Sequence, residues 1–251
     1  MEKSERKKSI YETKGVFGDE SKYQSSSRRF NKILQIVENL RAKPSRILDL
    51  GCGTGLMSKR ILDIYPDSKV YGLDVSKKAV MLGKKRYKEI HFVIGDVEGT
   101  LPFESNFFDL VISGEVIEHV KDTDVYLEEI NRILKKGGYF ILSTPNLASW
   151  YNRLLLLFGR QPFLAEPSLR IQIPVVTLFG IGFPDSALFP AGHLRLFTVD
   201  ILKKLLNLYN FKVLKVVGVG NLNKRFFKEV DEFFSKVVGL SSNIIFVCKK
   251  N

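Results

Sequence analysis

Residues 46–55 read RILDLGCGTG, and the fold follows from how this stretch divides. Ile47, Leu48 and Leu50 make a short β-prone run that ends at Gly51, Gly53 and Gly55. Apolar residues then recur at 56, 57, 61, 62 and 64–65, a helical spacing stopped by Pro66. A strand that enters a helix through a glycine-rich turn is the first unit of an open α/β sheet, and such turns are where these sheets bind nucleotides.

The alternation continues on the C-terminal side. KVYGLDV (69–75) reads as a second strand and SKKAVMLGKKRY (76–87) as a helix capped by Ser76. IHFVIGDV (90–97) and FDLVISGEV (108–116) read as the third and fourth strands. The next helix opens on Asp122, Thr123 and Asp124 and buries Leu127, Ile130, Ile133 and Leu134. Lys135 and Lys136 are expected in its last turn, with Gly137 or Gly138 as the left-handed exit. YFILSTPN (139–146) is a fifth strand. TVDILKKLLNLYN (198–210) and FFKEVDEFFSKVV (226–238) read as helices, and FKVLKVVGVG (211–220) and NIIFVCKK (243–250) as late strands.

Composition sets the outer limits. The 251 residues are 45% apolar and 26% charged, as in an ordinary globular protein with room for one large core or two small domains. The charged first ten residues lack the apolar stretch of a secretory signal. The run LLLLF (154–158) is far short of the ~20 residues that span a bilayer. Cys52 and Cys248, the two cysteines, form no Cys-x-x-Cys pair, which fits a reducing cytoplasm. A formal charge of +12 raises nucleic-acid binding, but the basic residues are spread along the chain and no RNA-recognition or zinc-knuckle spacing occurs. A solvated lysine-rich surface is therefore favoured over a nucleic-acid groove.

The glycine turn narrows the ligand. Its spacing is G-x-G-x-G rather than the G-x-G-x-x-G that cradles a pyrophosphate, and Asp49 stands two residues before it. A carboxylate there suits a ligand with a positive end and no phosphates, and S-adenosylmethionine is one. Asp74, 23 residues after Gly51, closes the second strand at about the ~20-residue interval where a carboxylate takes ribose hydroxyls. Asp96, read as ending the third strand, is placed to accept from an adenine amino group; the alternative is that Asp96–Gly99 is merely a turn.

ILDLGCGTG, YGLDVS, VIGDVEGTLPFESNFFDLVISGEVIEHV and EEINRILKKGGYFILSTPN together closely resemble class I S-adenosylmethionine-dependent methyltransferases, in particular the group of ubiquinone and small-molecule O-methyltransferases. The resemblance is detailed over residues 45–146. It implies a Rossmann-like, doubly wound, mostly parallel seven-stranded sheet with helices on both faces, the last strand antiparallel, and a lid insertion after the fifth strand. It implies that Asp49, Gly51, Cys52, Gly53 and Gly55 contact the methionine part of the cofactor. Asp74 and Val75 would meet the ribose, Asp96 and Val97 the adenine, and Ser113 and Glu115 would face cofactor and acceptor. The product would be S-adenosylhomocysteine. One methyltransferase domain is expected over 1–251, divided into an N-terminal cap region (1–44), a cofactor core (45–146), a lid (147–195) and a completing segment (196–251).

The acceptor side is less specified. His119 and His193 are candidate general bases, and hydrogen bonding to a loop is the alternative for each; His91, at a strand start, is read as packing or facing solvent. No metal is the favoured reading, with Glu115, Glu118 and His119 as an alternative ligand set suggested by related quinone methyltransferases. The aromatic, proline-rich 147–192 segment suggests an apolar acceptor or a lid covering the cofactor. Trp150, Tyr151, Arg153 and Arg160 would also suit a membrane interface, or simply a helix packed on the core or an oligomer interface. Tyr23, Arg28 and Arg29 are candidate lid contacts. The expectation is a cytoplasmic enzyme, membrane association staying open, that methylates a small or lipid-like acceptor at oxygen. The alternatives are an RNA or protein methyltransferase, a non-catalytic S-adenosylmethionine-binding protein and, more distantly, a dinucleotide oxidoreductase. Nothing in the sequence sets an oligomeric state.

Overall fold

The computed structural model describes residues 27–168, 191–222 and 225–251. Along the chain run α1 (Arg28–Glu38), β1 (Arg46–Leu50), α2 (Leu56–Ile64), β2 (Lys69–Asp74), α3 (Lys77–Arg86), β3 (His91–Ile94) and β4 (Phe108–Gly114). A 3-10 turn (Ile117–His119) leads to α4 (Thr123–Ile133) and β5 (Leu134–Pro145). Then come α5 (Trp150–Leu157), α6 (Val199–Leu208), β6 (Phe211–Val219), α7 (Arg225–Ser235) and β7 (Asn243–Lys250).

The strands form one seven-stranded sheet in the order β3-β2-β1-β4-β5-β7-β6. The β1, β2, β3, β4 and β5 neighbours pair in parallel, while β7 runs antiparallel to both β5 and β6. This is the sheet expected from the sequence. Because alternate side chains point to opposite faces, β1 sends Ile47 to one core and Leu48 and Leu50 to the other. Ile33 and Val37 of α1, Ile61 of α2 and Val80 of α3 cover the first face. Tyr126, Leu127, Ile130 and Ile133 of α4 and Leu202 and Leu206 of α6 cover the second. A satellite cluster joins Trp150 and Tyr151 to Phe163, Leu222, Phe227, Val230, Phe234 and Leu240.

The caps follow the local chemistry. Ser76 Oγ accepts from Ala79 N, Asp122 Oδ1 from Asp124 N and Val125 N, and Thr198 Oγ1 from Ile201 N. Two local expectations change. α4 ends at Ile133, and Lys135 and Lys136 already belong to β5. Leu134 pairs with Phe108, the register then jumps so that Leu110 meets Tyr139, and Gly137 takes a φ of 75° inside that irregularity. Strand pairing thus captured the residues that would have been the helix's last turn. Likewise β3 stops at Ile94, so Asp96 lies two residues past the strand.

α5 packs on the core through its buried Trp150, Tyr151, Asn152 and Leu155. Leu154, Leu156, Leu157 and Phe158 stay exposed on its outer side, with Arg153 and Arg160. No helix among the described residues is long and apolar enough to cross a membrane. Most of the 147–192 segment's aromatic and proline-rich part, from 169 to 190, and Tyr23 lie outside the described residues.

Gly55 shows how tightly the first turn is built. It caps α2 with φ 84°, and a Cβ there would enter the buried ring of Phe92, within 2.6 Å of Cε1. Gly55→Ala is therefore expected to cost about 2–3 kcal/mol, from left-handed strain plus overpacking. Chemical denaturation reads this directly; a loss under half a kcal/mol would mean that Phe92 yields freely.

Candidate functional site

Gly51, Gly53 and Gly55 all hold positive φ, of 78°, 53° and 84°. The chain leaves β1 and turns over the end of β2, where Gly51 N and Cys52 N donate to Leu73 O at 2.8 and 3.0 Å. Asp74 completes the tie. Its Oδ2 accepts from Gly53 N and its Oδ1 from Ser76 N, both at 2.8 Å. One carboxylate thus joins the β1–α2 turn to the β2–α3 turn, and each of its oxygens retains a further lone pair.

Asp49 lies beneath the turn, 4% exposed, and its Oδ2 accepts from Ser58 Oγ at 2.6 Å. Burial raises its pKa to about 6; the Ser58 hydrogen bond opposes that and the neighbouring Asp74 charge adds to it. Burial raises Asp74 as well, against its two backbone N–H donors. Two partly frustrated carboxylates under a glycine turn form a place that favours a positive charge and disfavours a phosphate.

The β4 end faces the same turn, since a Cβ on Gly51 would strike Val116 Cγ2. Ser113 is fully buried and its Oγ accepts from Tyr126 Oη at 2.7 Å, beneath the rim rather than on it. Glu115 takes a φ of 59°, a left-handed conformation uncommon for a side-chain-bearing residue. Its carboxylate accepts from Asn243 Nδ2 at 3.1 and 3.2 Å and lies 3.6 Å from Arg29 Nε. Arg29 Nη1 also donates to Ser143 Oγ at 3.3 Å. Arg28 turns away, donating to Leu222 O at 2.8 Å.

Glu118 is wholly buried. Thr144 Oγ1 donates to its Oε2 at 3.0 Å, while Oε1 has no hydrogen-bond partner among the described residues. Burial, with Glu115 nearby, pushes its carboxyl well above the ordinary glutamate range. His119 and His193 stack at 4.9 Å between ring centroids and 39° between planes. His119 Nδ1 lies 3.1 Å from Gly192 O and His193 Nδ1 3.1 Å from Leu164 O. Each thus makes the loop hydrogen bond weighed as its alternative role. Glu118, His119 and His193 each bring one ligand-type atom within 4.8 Å of one another, while the Glu115 carboxylate faces Asn243 Nδ2 and Arg29 Nε.

Asp49, Gly51, Cys52, Gly53, Gly55 and Asp74 thus come together as one rim. Val75 and Val97 are half-buried beside it. Asp96 is exposed, and its Oδ1 accepts from Glu98 N at 3.0 Å, the turn that was its alternative reading. His91 stacks on Tyr71 at 4.9 Å. Sequence reasoning missed Ser58, Asn243 and Glu166. Ser58 was detectable as a small polar residue on the inner side of α2, three residues before Ile61; the other two carry no local signal.

Residues 48–142 match the family described as Methyltransferase domain. The chain is 29% identical over 117 residues to a malonyl-[acyl-carrier protein] O-methyltransferase of Legionella pneumophila, covering 45% of this chain and 41% of that protein. It is 34% identical over 113 residues to a ubiquinone/menaquinone biosynthesis C-methyltransferase of Coxiella burnetii, covering 41% and 45%. The chain thus spans under half the length of these curated relatives. Among solved structures it resembles a SAM-dependent methyltransferase of Thermotoga maritima, a possible histamine N-methyltransferase, with TM-score 0.59 at 21% identity over 88% of this chain and 89% of that one.

Proposed function

We propose that this chain, whose residues 48–142 form a methyltransferase domain on a class I fold, is an S-adenosylmethionine-dependent methyltransferase acting on a small or lipid-like acceptor. The observation that carries the reading is the Gly51–Gly55 turn, with all three glycines in the left-handed region above a buried Asp49. Glycines let a ligand reach the backbone, and Asp49 favours the positively charged methionine end over a phosphate. Asp74 keeps a lone pair on each oxygen for a ribose diol, with Val75 beside it. Asp96 and Val97 are proposed at the adenine, Asp96 turning from Glu98 N to do so. Glu115, with Ser113 buried below it, borders the acceptor side.

Methyl transfer from a sulfonium is an in-line displacement, so positioning supplies much of the rate. Transfer to oxygen also requires the hydroxyl proton to leave. His119 and His193, just beyond the Val116 wall of the turn, meet that demand in one of two ways: as a direct base, or by holding a cation that acidifies the hydroxyl. The names of the relatives include both an O- and a C-methyltransferase; the stacked histidine pair, His193 buried and His119 half-buried, is what favours oxygen here. The exposed apolar side of α5, flanked by Arg153 and Arg160, suits an acceptor delivered from a lipid surface.

Calorimetric titration with S-adenosylhomocysteine, beside NADH, tests the cofactor. Micromolar affinity for the former alone is expected, and NADH binding in its place would overturn the reading. Asp74→Ala should weaken S-adenosylhomocysteine at least tenfold, ~1.4 kcal/mol; unchanged affinity would remove Asp74 from the ribose site. Salt-sensitive RNA binding with RNA turnover would instead favour a nucleic-acid acceptor.

A further inference from the structure

We propose that Glu166 is a positioning residue of the acceptor side: its carboxylate fixes both imidazoles as Nδ1–H tautomers and so leaves Nε2 of His193 to take the acceptor's proton. The inference rests on the methyl-transfer reading and develops its direct-base form. A backbone carbonyl can only accept a hydrogen bond. A neutral histidine whose Nδ1 meets one therefore carries its proton there and its lone pair on Nε2. Both rings are placed in this way, His119 Nδ1 3.1 Å from Gly192 O and His193 Nδ1 3.1 Å from Leu164 O. His119 Nε2 faces the buried Glu118, 4.0 Å from Oε1, so the acceptor's proton is assigned to His193.

One carboxylate ties the two carbonyls together. Glu166 Oε1 accepts from Ala191 N at 2.6 Å, and Oε2 from Gly192 N and His193 N at 2.7 and 2.9 Å. The Gly192–His193 peptide is thus held from both sides. Its N–H runs to Glu166 and its C=O to His119, the opposed directions of a trans peptide. A charged acceptor on the N–H polarises that peptide and strengthens its carbonyl as the partner of His119. On the other arm Leu164, two residues before Glu166, has a φ of 68°, an outlier for a bulky apolar residue, and its carbonyl meets His193 Nδ1. Leu194 N and Arg195 N both donate to Glu118 O, at 2.8 and 3.3 Å, and dock the strap on the 3-10 turn. Loop closure alone would require the Glu166 contacts but neither carbonyl aimed at an imidazole. In the transfer, His193 Nε2 takes the hydroxyl proton as the acceptor oxygen bonds to the methyl carbon. The carbon–sulfur electron pair stays on sulfur, and the positive charge passes from sulfonium to imidazolium. The other tautomer would present an N–H where the lone pair is needed.

Nitrogen NMR of the full chain labelled with ¹⁵N-histidine reads the tautomers directly at a pH well above the ordinary histidine pKa of about 6.5. His91→Gln, His119→Gln and His193→Gln assign the signals. Wild-type His193 should favour Nδ1–H by at least about tenfold. A His193 that is mainly Nε2–H, or evenly mixed, would overturn the proposal whether or not any variant folds. In Glu166→Ala both rings should move toward the Nε2–H form that a free histidine prefers in water; unchanged tautomers in the folded variant would remove Glu166 from this role. Glu166→Gln, which keeps one acceptor oxygen, should shift them less in the same direction and serves if the alanine variant does not fold. Titration of the same preparation with S-adenosylhomocysteine separates the readings. Binding with the wrong tautomer sinks this proposal alone, and the right tautomer without binding sinks the transferase reading and, with it, the use of Nε2 as a base.

Discussion

Asp49→Asn should lower affinity for S-adenosylhomocysteine at least a hundredfold, about 2.7 kcal/mol, while raising the melting temperature of the unliganded protein. The two effects have one cause. Asp49 is buried, and burial raises its folded pKa from the ordinary aspartate range to about 6. The native state therefore holds a proton that the unfolded chain releases between roughly pH 4 and 6. Stability from this group is highest below pH 4, falls as pH rises through that window, and is flat above it. The cost of the ionised form above pH 6 is on the order of 3 kcal/mol, which an arriving cationic ligand offsets. Asparagine keeps the acceptor for Ser58 Oγ but carries no charge. The variant should lose the pH slope, and wild-type affinity should tighten as pH rises through about 6. Calorimetry and thermal melts across pH 4–8 check both; a variant that binds like wild type would remove Asp49 from the cofactor site.

The second large effect lies away from the rim. Asp231→Ala should cost about 4 kcal/mol, because it strands several buried donors at once. The Asp231 carboxylate, fully buried on α7, accepts from Trp150 Nε1 at 3.0 Å, from Asn221 N at 2.6 Å, from Leu222 N at 2.9 Å and from Ser242 Oγ at 2.5 Å. It pins α5, the loop after β6, α7 and the start of β7 together, next to the Asn243 that steadies Glu115. An unfolding free energy in urea lowered by less than about 1 kcal/mol would show that these donors find other partners.

Legibility divides along sequence separation. The glycine turn, the Ser76 and Asp122 caps and the alternation of strands and helices depend on residues a few positions apart, and each was readable. Lys135 and Lys136 were not, because a helix-end rule considers only the helix. The competing partner of Leu134 was Phe108, across the sheet. The end of β3 was misread for a nearer reason: the Asp96 side chain satisfies Glu98 N in a turn, and that turn ends the strand at Ile94.

The sequence by itself determined the sheet, the first turn and the acidic set beneath it, because strand period, glycine freedom and charge placement are local properties. Only the tertiary structure decided what Glu115, Glu118, His119 and His193 touch. Arg29 and Asn243, 86 and 128 residues away in sequence from Glu115, draw its carboxylate aside. The segment closing at Glu166 and His193 brings a second imidazole to His119 from 74 residues farther along the chain. Side-chain geometry at that separation is set by packing, which no local pattern encodes.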